Sequence, residues 1–349
     1  MKPYILSAVF AVFCVVLVLF YSPCMEAAAF GYTLWLDCIF PAVFPFMVCT
    51  HIIGESGILE RLLKKNRRNL RIPMISLPIF LLCVISGIPS GARCGKLLYE
   101  RGLMTKRGAT IISASCNMAS PMFIAGSLCS SILGFEELIL PICAAHYLTS
   151  AIIMAAAFLI FPEPRHKSGT SAVIETPSFF SLASSALKES MLSSLSICAS
   201  IVFFSVIIGL LRQFLNSDSL PFGILSSVLE MTNGCKVLSE TALPPSVLCA
   251  AVSAVISFGG ICVLFQSLSF FRPDVKLYMA LKAISAPVAA VTAFLICKAL
   301  DIDSMSVFIA QHDFSAITQR LFPSGAVFAA SALAMGITTM ITAAASRRT

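Results

Sequence analysis

Long apolar stretches separated by short polar connections dominate the pattern of this 349-residue sequence. A helix needs about 20 predominantly apolar residues to cross the hydrocarbon core of a bilayer. The stretches that meet or approach this length cover residues 4–21, 34–53, 138–161, 197–211, 277–300 and 325–345. The pattern therefore predicts an all-α, polytopic bundle of transmembrane helices, which places the chain in a membrane as a multi-pass protein.

The N-terminal stretch has two interpretations. Lys2, the apolar run 5–20 and the small residues 27–29 follow the layout of a secretory signal peptide. However, the apolar run is longer than a usual signal core, and a second span follows soon after it. We favour a retained N-terminal transmembrane helix with a connector, over residues 1–33.

A second group of apolar segments is interrupted by Gly, Pro, Ser and Asn. These segments cover residues 77–98, 110–133, 222–235 and 247–271. An interrupted helix in lipid leaves backbone groups without partners, at a cost of several kcal/mol each. Such breaks persist only where protein or a water-filled cavity covers them, and in transporters they mark the binding site. The breaks therefore predict a site.

The four breaks form two pairs. Break 1 (86–91) precedes break 2 (116–121), and break 3 (229–234) precedes break 4 (257–260). This order predicts two repeats with broken or re-entrant helices, 34–161 and 179–300, and we favour an inverted relation between them. A polar linker, 162–178, joins the repeats, and a loop with a C-terminal transmembrane helix, 301–349, follows them.

The candidate substrate-binding residues lie in and next to the breaks. In break 1, backbone N–H groups and the start of the following helix favour an anion, and Arg93 adds positive charge. The alternative for break 1 is a plain turn between two spans. The full candidate set is Ser86, Gly87, Pro89, Ser90, Gly91, Arg93, Asn117, Ser120, Pro121, Glu230, Thr232, Asn233, Gly234, Ser257, Gly259, Gly260 and Gln266.

Glu230 is the most informative single candidate, because it is charged within an apolar segment. A charged side chain at mid-membrane costs about 3 kcal/mol. It therefore needs a partner, a proton or a coupled cation, unless it lies at the interface. Break 2 has the alternative of a packing kink. The Gly259-Gly260 pair fits either a close approach of a ligand or tight helix packing.

Composition narrows the partners. The chain is 58% hydrophobic and 12% charged, with a formal net charge of +7. The densest basic cluster, 61–71, lies between apolar segments, as the positive-inside rule predicts for a cytoplasmic loop. We therefore expect contact with the lipid bilayer and no nucleic-acid partner.

The sequence offers no sign of a cofactor or of catalysis. The 14 cysteines include no CxxC pair and mostly lie in apolar runs, where they serve as small packing residues. The four histidines match no zinc spacing, so we expect no metal. There is no P-loop, GxSxG or HExxH motif. We therefore expect neither a cofactor nor an enzyme.

Several spaced strings resemble a known family. The string 35–37, with Pro41 and Pro45 after it, is similar to the helix that opens the family's domain. The strings 86–93 and 117–123, the latter with 145–148 downstream, resemble its first and second breaks. The strings 230–234 and 257–260, with Gln266, are similar as well. The family is the sporulation integral membrane proteins of the YlbJ (SpoVV) type, built on the Gate, or nucleoside-recognition, domain.

The resemblance implies a fold related to concentrative nucleoside transporters and a role in endospore formation. It implies transport of a small organic anion, dipicolinate, across the outer forespore membrane or the bacterial cell membrane, with a proton or sodium as the coupling ion. Arg93 stands where the family pattern has a lysine. Two alternatives remain open, a membrane scaffold of a sporulation complex that transports nothing and a nucleoside transporter.

Overall fold

A computed structural model describes residues 3–55, 72–163, 178–216 and 219–304, and every regular element within these ranges is helical. The elements are α1 (Pro3–Leu19), α2 (Tyr21–Leu34), α3 (Phe40–Glu55), α4 (Ile72–Ser86), α5 (Ser90–Glu100), α6 (Lys106–Ser115), α7 (Phe123–Leu133, wound as a π-helix), α8 (Ile139–Ile160), α9 (Phe179–Arg212), α10 (Leu220–Leu229), α11 (Met231–Ser239), α12 (Pro245–Phe258), α13 (Gly260–Phe270) and α14 (Val275–Ala299). The basic cluster 61–71, most of the linker 162–178 and the C-terminal span 325–345 lie outside the described residues.

Five helical runs within the described ranges are long and apolar enough to cross a membrane. They are Tyr21–Ile53, Glu136–Ile160, Phe180–Arg212, Pro245–Phe270 and Val275–Ala299. Four of the predicted spans fall within these runs, and the run Pro245–Phe270 is an additional one. The predicted all-α, multi-pass architecture is therefore confirmed.

The N-terminal region differs from the sequence prediction. The connector expected before residue 34 is helical, because α2 continues through a π-helical turn, Trp35–Ile39, into α3. The apolar helix in the first predicted span, Ser7–Leu19, is shorter than a full crossing. Residues 32–40 contain no Gly or Pro, so no helix-breaking residue ends the helix there.

Polar residues at helix starts fix where several elements begin. The Thr105 side chain accepts a hydrogen bond from the amide of Gly108 at the start of α6. Ser219 caps α10 in the same way, and the Asp274 carboxylate accepts from the amides of Lys276 and Leu277 at the start of α14. These caps satisfy amide donors that the first turn leaves without partners.

Large apolar side chains cover the outward faces of the long helices. Leu159 on α8 is 83% exposed, Leu192 on α9 is 54% exposed and Leu295 on α14 is 61% exposed. Exposed apolar surface on this scale fits contact with lipid rather than with water. Inside, one buried apolar cluster draws side chains from both 34–161 and 179–300, including Phe123 and Val252. The two halves thus share a core.

The helices of the two halves pack in corresponding ways. Between the halves, α5 packs against α13 and α6 packs against α14, and within the first half α3 packs against α7. Also between the halves, α11 packs against α7 and α12 packs against α8, and within the second half α9 packs against α13. Small residues permit the closest contacts, as in α10 and α11, where Gly234 lies against the backbone of Ser227.

Candidate functional site

The helices are interrupted at all four positions that the sequence singled out. Break 1 separates α4 from α5, and Gly87 there has a φ of 73°. Break 2 separates α6 from α7, with residues 117–120 in no regular structure. Break 3 is confined to Glu230, whose extended backbone turns α10 back against α11. Break 4 lies at Gly259 and Gly260, which have φ values of 84° and 74°.

Break 1 uses most of its polar groups internally. The Ser86 hydroxyl donates to the Leu82 carbonyl at 2.6 Å, and the Ser90 hydroxyl donates to the Gly87 carbonyl at 2.6 Å. The amides of Ser90 and Arg93 donate to the carbonyls of Gly87 and Pro89. The amides of Ser90 and Arg93 are therefore engaged, and the cations beside break 1 are Arg93 and the exposed Lys96.

His146 on α8 satisfies groups in two breaks. Its Nε2 accepts a hydrogen bond from the amide of Ala119 at 3.0 Å, and its Nδ1 lies 2.8 Å from the Ser257 hydroxyl. Because Nε2 accepts, the ring proton belongs on Nδ1, which donates to Ser257. Next to it, the Tyr147 hydroxyl donates to the Ala119 carbonyl at 3.0 Å. Both polar groups of the Ala119 backbone thus have partners from α8.

Lys282 on α14 joins break 2 to break 4. Its Nζ donates to the carbonyl of Asn117 at 2.9 Å and to the carbonyl of Ser257 at 3.3 Å. The side chain is only 3% exposed, and within the described ranges it forms no ion pair. The lysine therefore satisfies carbonyls that the two interruptions would otherwise leave without partners.

Asn117 is held in a polar cluster with α13 and α14. Its Nδ2 donates to the Ser267 hydroxyl at 3.0 Å and to the Tyr278 hydroxyl at 3.3 Å. The hydroxyls of Ser267 and Tyr278 are 3.1 Å apart. The Oδ1 atom of Asn117 is buried and has no partner. Asn117 thus belongs to the joint between the two halves.

Glu230 is buried, at 1% exposure, so its carboxylate depends on protein groups for its hydrogen bonds. Its carboxylate caps α11 by accepting hydrogen bonds from the amides of Thr232 at 3.0 Å and Asn233 at 2.7 Å. The Asn233 side chain donates to the same carboxylate at 2.7 Å and also to the Ser205 hydroxyl. In the part of the chain that the structure describes, no Lys or Arg forms an ion pair with Glu230. The N-terminus of α11 therefore supplies its compensating charge.

Three of the breaks meet at a buried cavity of about 40 Å³, the inner cavity. Its polar lining includes Ser120 from break 2, Glu230 and Thr232 from break 3, and Gln266 from α13. The Thr232 hydroxyl is buried without a hydrogen-bond partner. A water molecule needs about 10–15 Å³ of such space, so the inner cavity has room for only a few waters in this conformation.

A larger cavity of about 300 Å³, the outer cavity, lies beside break 1, and Gly87 lines both cavities. Here Arg93 is half-buried, with its guanidinium 2.9 Å from Nδ1 of His51 and 5.5 Å from the centre of the Phe270 ring. The carboxylates lining this cavity belong to exposed residues, and none of them forms an ion pair with Arg93. Those residues are Glu55, Glu100 and Glu189.

The structure divides the predicted site residues into two groups. Those lining the inner or the outer cavity are Ser86, Gly87, Pro89, Ser90, Arg93, Ser120, Glu230, Thr232 and Gln266. Those in neither cavity are Gly91, Asn117, Pro121, Asn233, Gly234, Ser257, Gly259 and Gly260. The second group shapes or braces the breaks, as Gly91 does by packing against the backbone of Cys116 and Asn117.

Sequence reasoning left four side chains that reach the breaks out of the candidate set: His146, Tyr147, Tyr278 and Lys282. The signal for Lys282 was present, since it is a charged residue near the start of the apolar stretch 277–300. The tyrosines gave no comparable signal, because a tyrosine within a span is equally typical of packing against neighbouring helices.

Comparison with known proteins finds similarity to a sporulation protein. The sporulation integral membrane protein YlbJ of Bacillus subtilis (strain 168) is 22% identical over 280 residues, which cover 69% of each chain. No family model matches the chain. No solved structure matches it. The chain is thus similar to a YlbJ-type sporulation integral membrane protein, and its five apolar helices support a multi-pass integral membrane protein.

Proposed function

We propose that the chain is a secondary transporter of a small organic anion, dipicolinate, which it moves across the outer forespore membrane during endospore formation. The observation that carries the proposal is the inner cavity, where breaks 1, 2 and 3 meet beside α13. Discontinuous helices whose interruptions converge on one buried cavity are the arrangement that transporters use for substrates and coupling ions.

The packing of the helices supports two repeats, 34–161 and 179–300, as the basis of this transporter. If α3 to α8 correspond to α9 to α14 in order, the contact of α5 with α13 matches that of α11 with α7. The contact of α6 with α14 then matches that of α12 with α8. Such paired repeats place the site between two halves that can move relative to each other.

The two cavities suggest the route of the substrate. The outer cavity reaches the lower end of the size range of small-molecule pockets, whereas the inner cavity in this conformation does not. The guanidinium of Arg93 has no carboxylate partner among the described residues and can bind a carboxylate through two parallel hydrogen bonds. The substrate docks first at Arg93 and then passes Gly87 to the inner cavity when the halves rearrange.

Charge imposes a condition on the second step. An anion in the inner cavity lies beside the buried carboxylate of Glu230, and like charges in a buried site repel strongly. Transport of an anion therefore requires a coupled cation. This requirement is the physical reason for expecting an ion-coupled transporter rather than a passive channel.

The proposal is tested by uptake of labelled dipicolinate into proteoliposomes that contain the purified protein. We expect uptake above protein-free vesicles, and we expect Arg93→Gln to raise the KM by about tenfold, since a charged hydrogen bond contributes 1.5–3 kcal/mol. Arg212→Gln is the matched control, because Arg212 also lies over an aromatic ring, Phe222, but lines neither cavity. Uptake of uridine but not of dipicolinate would show that the substrate is a nucleoside. Uptake of neither compound would contradict the transport function.

A further inference from the structure

Lys282 occupies a position that a packing or anchoring role does not explain. It is the eighth residue of α14, within the run Val275–Ala299 that can cross the membrane. Its ammonium group contacts one carbonyl from each half of the chain, those of Asn117 and Ser257. A buried lysine is costly unless it is paired, and the described residues offer it carbonyl oxygens but no carboxylate.

The two carbonyl oxygens indicate that this position binds a cation. In transporters with discontinuous helices, the carbonyls of unwound segments coordinate the driving sodium ion or proton. Here a covalently tethered cation already lies on the carbonyls of break 2 and break 4, where a sodium ion would otherwise find its oxygen ligands.

We propose that the ε-amine of Lys282 is the coupling site and that it binds a proton in place of a sodium ion. This inference rests on the proposed transport function and names its coupling ion. The lone pair of the neutral amine accepts one proton from water on one side of the membrane, and the ammonium returns that proton to water on the other side. The charged form bridges the two breaks with two charge-assisted hydrogen bonds, whereas the neutral amine makes weaker bonds to the same carbonyls and loosens the contact between the halves.

The surroundings of Lys282 leave it as the group that changes charge. The ionisable side chains around it are His146 from α8, Cys116 at the end of α6 and Tyr278 on α14. The ring of His146 accepts from the Ala119 amide, so protonation of Nε2 would break that bond. On α12 the one ionisable residue, Cys249, lies about two helical turns from Ser257.

Two transport modes separate coupling from structure. Purified protein in proteoliposomes, in sodium-free buffer, is assayed for dipicolinate accumulation driven by a pH gradient and for counterflow exchange without a gradient. We expect wild-type protein to accumulate dipicolinate without sodium. We expect Lys282→Gln to reduce accumulation by about tenfold or more but to keep exchange. The coupling of two binding events typically changes an affinity by about 5- to 150-fold, and this variant removes the coupling. Lys276→Gln, at an exposed position of the same helix, should behave as wild type.

Lys282→Arg provides a second variant that keeps the bridging charge. Arginine stays protonated at all relevant pH values, so this variant should also exchange but not accumulate. Accumulation at the wild-type level by either variant would overturn the proposal. So would accumulation of dipicolinate by the wild-type protein that is driven by a sodium gradient, or the loss of both exchange and accumulation in both folded variants. Absence of both activities in the wild-type protein would instead contradict the proposed function.

Discussion

His146 and Lys282 occupy the same position, the eighth, of α8 and of α14, and both reach break 2 and break 4. His146 bonds to the Ala119 amide and the Ser257 hydroxyl, and Lys282 bonds to the carbonyls of Asn117 and Ser257. The interruptions are therefore braced by one side chain from the long helix that follows each pair of breaks. This arrangement makes the breaks stable in a membrane and ties their geometry to the charge of Lys282.

The hydrogen bonds from His146 and Tyr147 of α8 to break 2 should contribute measurably to the free energy of unfolding. We expect His146→Ala to lower the free energy of unfolding by about 1–3 kcal/mol, because it leaves the buried Ala119 amide without a partner. Tyr147→Phe removes the donor to the Ala119 carbonyl and should cost about 1 kcal/mol. Thermal unfolding of the purified protein in detergent measures both. Equal melting temperatures for His146→Ala and the wild-type protein would contradict this role.

Glu230 should matter for transport more than for folding. Glu230→Gln removes the negative charge from the inner cavity but retains an oxygen that can accept from the α11 amides. We expect a loss of stability of about 1 kcal/mol, as for a weakened helix cap, together with a change in the KM for dipicolinate uptake, because the repulsion between this charge and the anion is removed.

The matched control for Glu230 is Glu240→Gln, at the exposed end of the same helix, where Glu240 pairs with Lys236 at 3.5 Å. This pair is exposed and should contribute little. An unchanged rate and KM of uptake in Glu230→Gln would remove Glu230 from the site.

The hairpin of α10 and α11 requires a glycine at its contact. A Cβ atom at Gly234 would overlap the backbone of Ser227, so Gly234→Ala should destabilise the protein by about 1–3 kcal/mol through overpacking. Gly126→Ala is the control, because the nearest atom to its Cβ would be the end of the Met122 side chain at 3.9 Å. Comparable melting temperatures for the two variants would show that the hairpin is not tightly packed.

Asp303 should make the end of α14 sensitive to acid. The hydrogen bond from Lys298, at 2.6 Å, together with those from the amide and hydroxyl of Ser246, lowers the pKa of the Asp303 carboxyl. Because the folded pKa lies below the unfolded value of about 3.9, its contribution to stability is present above that value. The contribution is lost as the pH falls through the folded pKa.

Asp303→Asn should therefore lower the melting temperature at neutral pH and remove the part of the acid destabilisation that this carboxyl causes. Melting temperatures of the variant and the wild type, measured from pH 7 downward, should converge. A constant difference between them at every pH would contradict the role of the charge.

The sequence predicted the membrane class and the positions of the breaks because both depend on local composition. Apolar length predicts a span, and a cluster of Gly, Pro, Ser and Asn within it predicts an interruption. The continuation of α2 into α3 was missed, because the same local reasoning expected a connector before residue 34.

The partners of the breaks depend on tertiary packing, which no local pattern encodes. The contact of Lys282 with Asn117 joins residues 165 positions apart. Similarly, the sequence identified Ser257 and Asn117 as candidates for substrate binding, and it did not predict that both also contact the opposite half. Residues that brace a break and residues that face a ligand have the same chemistry, so only their placement separates them.

The central claim is that the breaks form the path of the substrate, and a substitution that fills the inner cavity tests it most directly. Ile197 on α9 lines this cavity, whereas Leu195 on the same helix is 46% exposed on the outer face. In proteoliposomes, we predict that Ile197→Trp abolishes dipicolinate uptake while Leu195→Trp, with an equal melting temperature, leaves it at the wild-type rate. Wild-type uptake by a folded Ile197→Trp protein would show that the substrate does not pass through the inner cavity.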